Sequence, residues 1–146
     1  MYTSIMTVLP YEYSIRQVLS PEAADELLAR PWAAYNVWKP LQTVEKMPLA
    51  VCDARTILEK DLVPTSVGTR PGEPLLPRIG LGVVYNPIQR WHYFPTMTRD
   101  EALILKMWDT DTSRPQWAAH SAFVDPDSDA DANARVSPDA RFVVFF

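Results

Sequence analysis

Apolar residues in this chain fall in short blocks cut by proline, so each block has room for one brief element. Thr3 to Leu9 has the composition of a short strand, closed by Pro10. Ser20, Pro21 and Glu22 supply an N-cap, a proline at the first helical position and an early acid. The spacing predicts a helix from Pro21 to Ala29, with Ala24, Leu27 and Leu28 on one face and Pro31 as its stop. Trp32 to Trp38 and Leu49 to Leu58 are predicted strands, the second ending in a polar turn at Glu59 to Asp61. Four prolines and two glycines between Pro64 and Pro77 predict a long surface loop. Ile79 to Tyr85 follows as a strand, Asn86-Pro87 as a turn and Arg90 to Phe94 as an aromatic strand. Thr98 and Glu101 match a capping box ahead of the apolar run Ala102 to Trp108, which predicts a single turn and then a strand. Trp117 to Val124 and Arg141 to Phe146 complete the strands, with Asp125 to Asp139 an acidic loop between them.

About seven short strands with one or two short helices make an all-β or mostly β chain, arranged as a jelly roll. With 146 residues, 47% of them hydrophobic, one core and one domain over 1–146 are expected. Fourteen prolines against 4 glycines weigh further against long helices. A net charge of -4 with scattered Lys and Arg offers no basic face for phosphates, so nucleic acid is not an expected partner. No run approaches the roughly 20 apolar residues of a membrane helix, and the first ten residues lack a cationic leader. A cytoplasmic protein without membrane contact is expected. Cys52, the single cysteine, excludes an internal disulfide and reads as a buried small hydrophobe within Pro48 to Cys52.

Five blocks stand in one order: Asn36 to Leu41, Pro48 to Arg55, Arg90 to Phe94, Met97 to Leu103 with Lys106 and Asp109, and His120 to Pro126. Over Trp32 to Phe146 the chain resembles the fungal hydroxylase/desaturase family of natural-product pathways, the gibberellin-desaturase and aspergillic-acid-hydroxylase type. The resemblance implies a jelly-roll core and oxygenase chemistry on Fe(II) and 2-oxoglutarate. That chemistry uses two histidines and one carboxylate, which leave open positions on the metal. The family's His-x-Asp pair, on an early strand, corresponds to the stretch Leu9 to Ser14, where Pro10 and Glu12 stand. Proline has no side-chain donor atom. Of the 2 histidines, His92 stands where the family carries an aromatic residue, and His120 matches the distal ligand histidine. Family chains are also longer at the N-terminus. Arg135 and Ser137 resemble the Arg-x-Ser pattern that grips the distal carboxylate of 2-oxoglutarate, and Arg141 matches a second arginine of that block. The family's glutamate between the two arginines is not kept.

These residues give a candidate set. His120 suits proton transfer at neutral pH, Glu12 would face the pocket from the vacated aspartate position, and Arg135 would clamp a carboxylate or enolate. The bland alternatives are a structural histidine, a surface glutamate and a solvated strand-end arginine. Trp38, Trp91, Tyr93 and Phe123, mostly core by type, together with Ser137 and Arg141, are the candidate substrate contacts for a flat apolar molecule. Lys106 with Asp109, and Asp53 with Arg55, read as structural charge pairs. No metal site is expected. The expected function is a metal- and cofactor-independent cyclase, isomerase or dehydratase, pericyclic closure included, acting on a natural-product intermediate in a homodimer. The first alternative is an Fe(II)/2-oxoglutarate-dependent hydroxylase or desaturase. The second is a non-catalytic binding or partner subunit.

Overall fold

Strand β2, Trp32–Trp38, buries its even-numbered residues Trp32, Ala34, Asn36 and Trp38. It lies between β7, Leu103–Asp109, and β9, Asp139–Phe145, antiparallel to both. The β7 register jumps from Trp108 opposite Ala34 to Lys106 opposite Tyr35, leaving Met107 as a bulge that is buried in the core. A second sheet places β3, Leu49–Cys52, between β6, Trp91–Tyr93, and β8, His120–Ala122. A third is ordered β1, β5, β4, with β1 at Thr3–Met6, β5 at Ile79–Val83 and β4 at Leu62–Ser66. The structure, a computed structural model, describes residues 3–6, 9–66 and 79–146, with side chains described for 11–64 and 80–146.

Two apolar clusters share the β6-β3-β8 sheet. The larger joins Trp32, Ala34 and Trp38 of β2, Leu49 and Val51 of β3 and Leu105 and Met107 of β7. Tyr11 and Leu28 join it from two helices, α1 at Leu9–Val18 and α2 at Pro21–Leu28. The smaller cluster sets Cys52 and Ala119 against Val83, Leu81 and Leu62, so the third sheet covers the opposite face of β3. The arrangement is a mostly β chain of antiparallel sheets with two short helices, as expected. Cys52 is buried, and burial pushes its thiol pKa up, which suits the small-hydrophobe reading.

Several elements depart from the sequence reading. Helix α1 was not expected. Pro10 lies in the first turn of α1, where a helix tolerates proline, and Tyr11, Ile15, Val18 and Leu19 keep a helical period. The strand expected over Leu49 to Leu58 ends at Cys52 because Asp53 caps a 3-10 turn, Ala54–Thr56, its Oδ1 accepting from the Arg55 amide at 3.1 Å. Glu59–Asp61 forms a second 3-10 turn. Strand β4 runs through Pro64, which an edge strand permits. The expected loop over Pro64 to Pro77 begins within β4, its residues 67–77 lie outside the described residues, and so do residues 7 and 8 of the expected first strand.

Other expectations are met. The Ser20 hydroxyl accepts from the Ala23 amide at 3.3 Å and caps α2. Glu101 accepts from the Thr98 amide at 2.8 Å in a turn that leads into β7 without forming a helix. Lys106 pairs with Asp109, and Arg55 grips Asp53 through Nε and Nη2 at 2.9 and 2.8 Å.

Leu105 is 3% exposed within the larger cluster. Replacing Leu105 with Ala should lower unfolding free energy by about 2–5 kcal/mol, the usual cost of a cavity at a large aliphatic core site. Urea denaturation measures the shift in midpoint, and a loss below about 0.5 kcal/mol would contradict this core assignment.

Candidate functional site

Strand pairing sorts the candidate residues onto two faces. Val51 of β3 stands opposite His92 on β6 and His120 on β8, so both histidines share the face whose Leu49 and Val51 join the larger core. The neighbouring residue Ala50 stands opposite Tyr93 and Ser121, which share the other face. His120 is half-buried, and its Nδ1 lies 2.8 Å from the Ala118 carbonyl. A carbonyl only accepts, so Nδ1 carries the proton and the Nε2 lone pair is left available as a base or ligand.

Trp38 anchors a second group. Its Nε1 donates to Ser137 Oγ at 3.1 Å, and the Arg135 guanidinium lies 5.5 Å from its ring centroid. Arg135 Nη1 donates to the Met47 carbonyl at 2.7 Å, two residues before β3 begins, and burial draws the guanidinium pKa down. Met47 is a non-glycine residue in the left-handed region, at φ 54°, so some backbone strain is held where the arginine docks. Arg135, Ser137 and Trp38 are thus one cluster.

The other candidates lie elsewhere. Glu12 is on helix α1 and not on the expected strand, and it is not among the lining residues of the cavities at Trp91 and at Arg141. Arg141 stands opposite Asn36 in the β2–β9 ladder and donates to Asp139 at 3.1 Å. It borders a cavity of about 360 Å³ between α1 and β9. Nearby, the Tyr11 hydroxyl and Asn36 Oδ1 are buried without a hydrogen-bond partner, and burial raises the Tyr11 pKa while Arg141 opposes it. Sequence reading had no signal for these two, because their exposure depends on α1 covering β9.

Trp91, Tyr93 and Phe123 do converge, with Ala50, Val83, Tyr85, Gln89 and Ser121, on a cavity of about 540 Å³. Trp38, Ser137, Arg135 and His120 are not in its lining, so the candidate residues are not all brought to one cavity. Among the described residues no group of three or more His, Cys, Asp or Glu is placed to hold a metal ion, so they do not by themselves fit a catalytic iron. No helix of the described residues is long and apolar enough to cross a membrane.

Residues 9–145 match the family described as an oxidoreductase/YMDC permease-like domain. The chain is 37% identical over 134 residues to the hydroxylase/desaturase asaB of Aspergillus flavus, covering 84% of this chain and 59% of that protein. It is 30% identical over 128 residues to the gibberellin cluster GA4 desaturase of Gibberella fujikuroi, covering 80% and 35%. The chain belongs to the fungal hydroxylase/desaturase family. The solved structure of NvfI, an iron and alpha-ketoglutarate-dependent endoperoxidase, superposes with a TM-score of 0.83 at 32% identity. That match covers 99% of this chain and 53% of NvfI, and supports the jelly-roll expectation. The chain spans about half the length of the curated relatives it matches.

Asp61 ties the cavity wall together. It accepts from Asn86 Nδ2 at 2.9 Å, from the Leu58 amide at 3.1 Å and from Gln89 Nε2 at 3.3 Å, and Gln89 Oε1 in turn accepts from Trp91 Nε1 at 3.4 Å. The Asn86 bond leads the causes that hold its carboxyl below the usual range. A depressed folded pKa gives stability that is present above the unfolded value of about 3.9 and is lost as pH falls through the folded value. Melting temperatures of wild type and Asp61→Asn should therefore converge below about pH 4. A gap that stays constant from pH 6 to 2.5 would remove Asp61 from this role.

Proposed function

We propose that the chain works as an oxygenase of the Fe(II)/2-oxoglutarate type on an apolar natural-product intermediate. Its own contribution is to bind the dicarboxylate cosubstrate and to present a histidine. The observation that carries the reading is that His120, with Nδ1 locked and Nε2 available, and Arg135, on Trp38 beside Ser137, border one core. A planar guanidinium on an aromatic platform with a hydroxyl alongside suits a carboxylate. The relatives named as Fe(II)/2-oxoglutarate-dependent enzymes support the reading by kinship. It requires donors for the metal beyond those the described residues bring together, and no step through iron is drawn from this geometry.

The second reading is the metal-independent cyclase, isomerase or dehydratase, in which His120 moves a proton and Arg135 polarises a carbonyl. It is favoured by one observation, that the whole sequence has 2 histidines and only His120 matches a ligand position. One experiment separates the two. Under anaerobic conditions the oxygenase reading expects stoichiometric Fe(II) uptake and 2-oxoglutarate binding, with Arg135→Ala weakening the dicarboxylate by about 10- to 100-fold, the worth of a charge-assisted pair. Turnover that is indifferent to EDTA and to 2-oxoglutarate, yet falls about 100-fold in His120→Ala, would overturn it in favour of the metal-independent reading.

A further inference from the structure

The cavity of about 540 Å³ on the Ala50 face of the β6-β3-β8 sheet lies across the sheet from His120. We infer that it binds a neutral, planar aromatic molecule bearing a hydroxyl or N–H group. Its volume falls within the range of small-molecule sites, about 300–1,000 Å³. Ala50 is the floor: its two register partners, Tyr93 and Ser121, both line the cavity, and only its methyl group stands between them. A flat ring can descend where a longer side chain would block it. Tyr93 and Phe123 meet edge to face, with centroids 5.0 Å apart and planes at 76°, so the wall offers a ring face and a ring edge at right angles.

Among the described residues the lining carries no charged side chain, so a charged ligand would lose its hydration without finding a counter-charge from them. Polar capacity is limited and directional. Ser121 Oγ donates to the Ala122 carbonyl at 3.1 Å, which leaves its lone pairs to accept from a ligand hydroxyl or N–H. Gln89 is already committed, through Nε2 to the Val84 carbonyl at 2.9 Å and to Asp61, and this holds the wall at Trp91 in place before any ligand arrives. The rim is wet without a ligand: Tyr85 is 82% exposed, Tyr93 40% and Trp91 37%. Covering that aromatic surface is the driving force for occupancy.

The site stands apart from the oxygenase reading, and its test does not use turnover. The probe is 2-naphthol, titrated into the full chain while tryptophan fluorescence is followed, with the oligomeric state measured by light scattering. Wild type should bind one equivalent saturably. Ala50→Phe, which fills the floor, and Tyr93→Ala, at the exposed wall, should each weaken binding at least about tenfold, and Ser121→Ala less. Circular dichroism confirms folding, and Tyr93→Ala keeps the test open where Ala50→Phe does not fold. Arg135→Ala should bind as wild type does. Non-saturable quenching, equal affinity in both cavity variants, loss of binding in Arg135→Ala, or a dimer that buries this face and excludes the probe would each overturn the proposal.

Discussion

Strand β3 is four residues long and is covered on both faces, and most of the molecule follows from that constraint. A strand buried on both sides cannot alternate polar with apolar. It alternates by packing partner instead: Leu49 and Val51 meet β2 and β7, while Ala50 and Cys52 turn to the third sheet. Because side chains switch face at every residue, a slip of one position would exchange the histidine row for the aromatic row. The ladders to β6 and β8 hold the register. Separation of His120 from the aromatic cavity is therefore a property of strand pairing, and no loop rearrangement would be needed to maintain it.

Legibility in the sequence followed the range of the interaction. The α2 cap at Ser20, the Thr98–Glu101 turn and the Lys106–Asp109 pair each span three residues, and each was readable. Arg135 and Ser137 were readable as a short Arg-x-Ser stretch, whereas their meeting with Trp38, about a hundred residues earlier, was not. Helix α1 was misread because Pro10 was taken as a strand terminator, although the Tyr11, Ile15, Val18 period was present. The grouping of Trp38 with Trp91, Tyr93 and Phe123 failed for a different reason. Aromatic content says that residues are buried or clustered, but only register says on which side of a sheet they lie.

Polar groups in the larger core add a second constraint. Asn36 Oδ1 and the Tyr11 hydroxyl are buried with no partner, on a face that also carries Arg141. Leaving such a group unsatisfied costs about 1–3 kcal/mol. Arg141 is drawn to Asp139 on its own strand, whereas no carboxylate pairs with Arg135 among the described residues. Of the two arginines, Arg135 is the better placed for an outside carboxylate, because its charge is oriented by an aromatic face and a carbonyl and is not already neutralised.

The family's chemistry divides into parts that a short stretch can carry and parts that it cannot. A facial triad gathers its donors from separate strands, so a single strand can fix the orientation of one side chain and not the set. The tautomer lock on His120 is made by Ala118, two residues away, and Arg135 and Ser137, again two apart, both meet Trp38. Such local devices persist in this chain irrespective of where the remaining donors lie. That is why the orientation of an imidazole and the placing of a guanidinium can be derived from these residues in full, while the metal's coordination cannot. The two experimental signatures are separable for the same reason: any carboxylate affinity that Arg135 supplies reads out in a dicarboxylate titration, whether or not a metal sphere is complete.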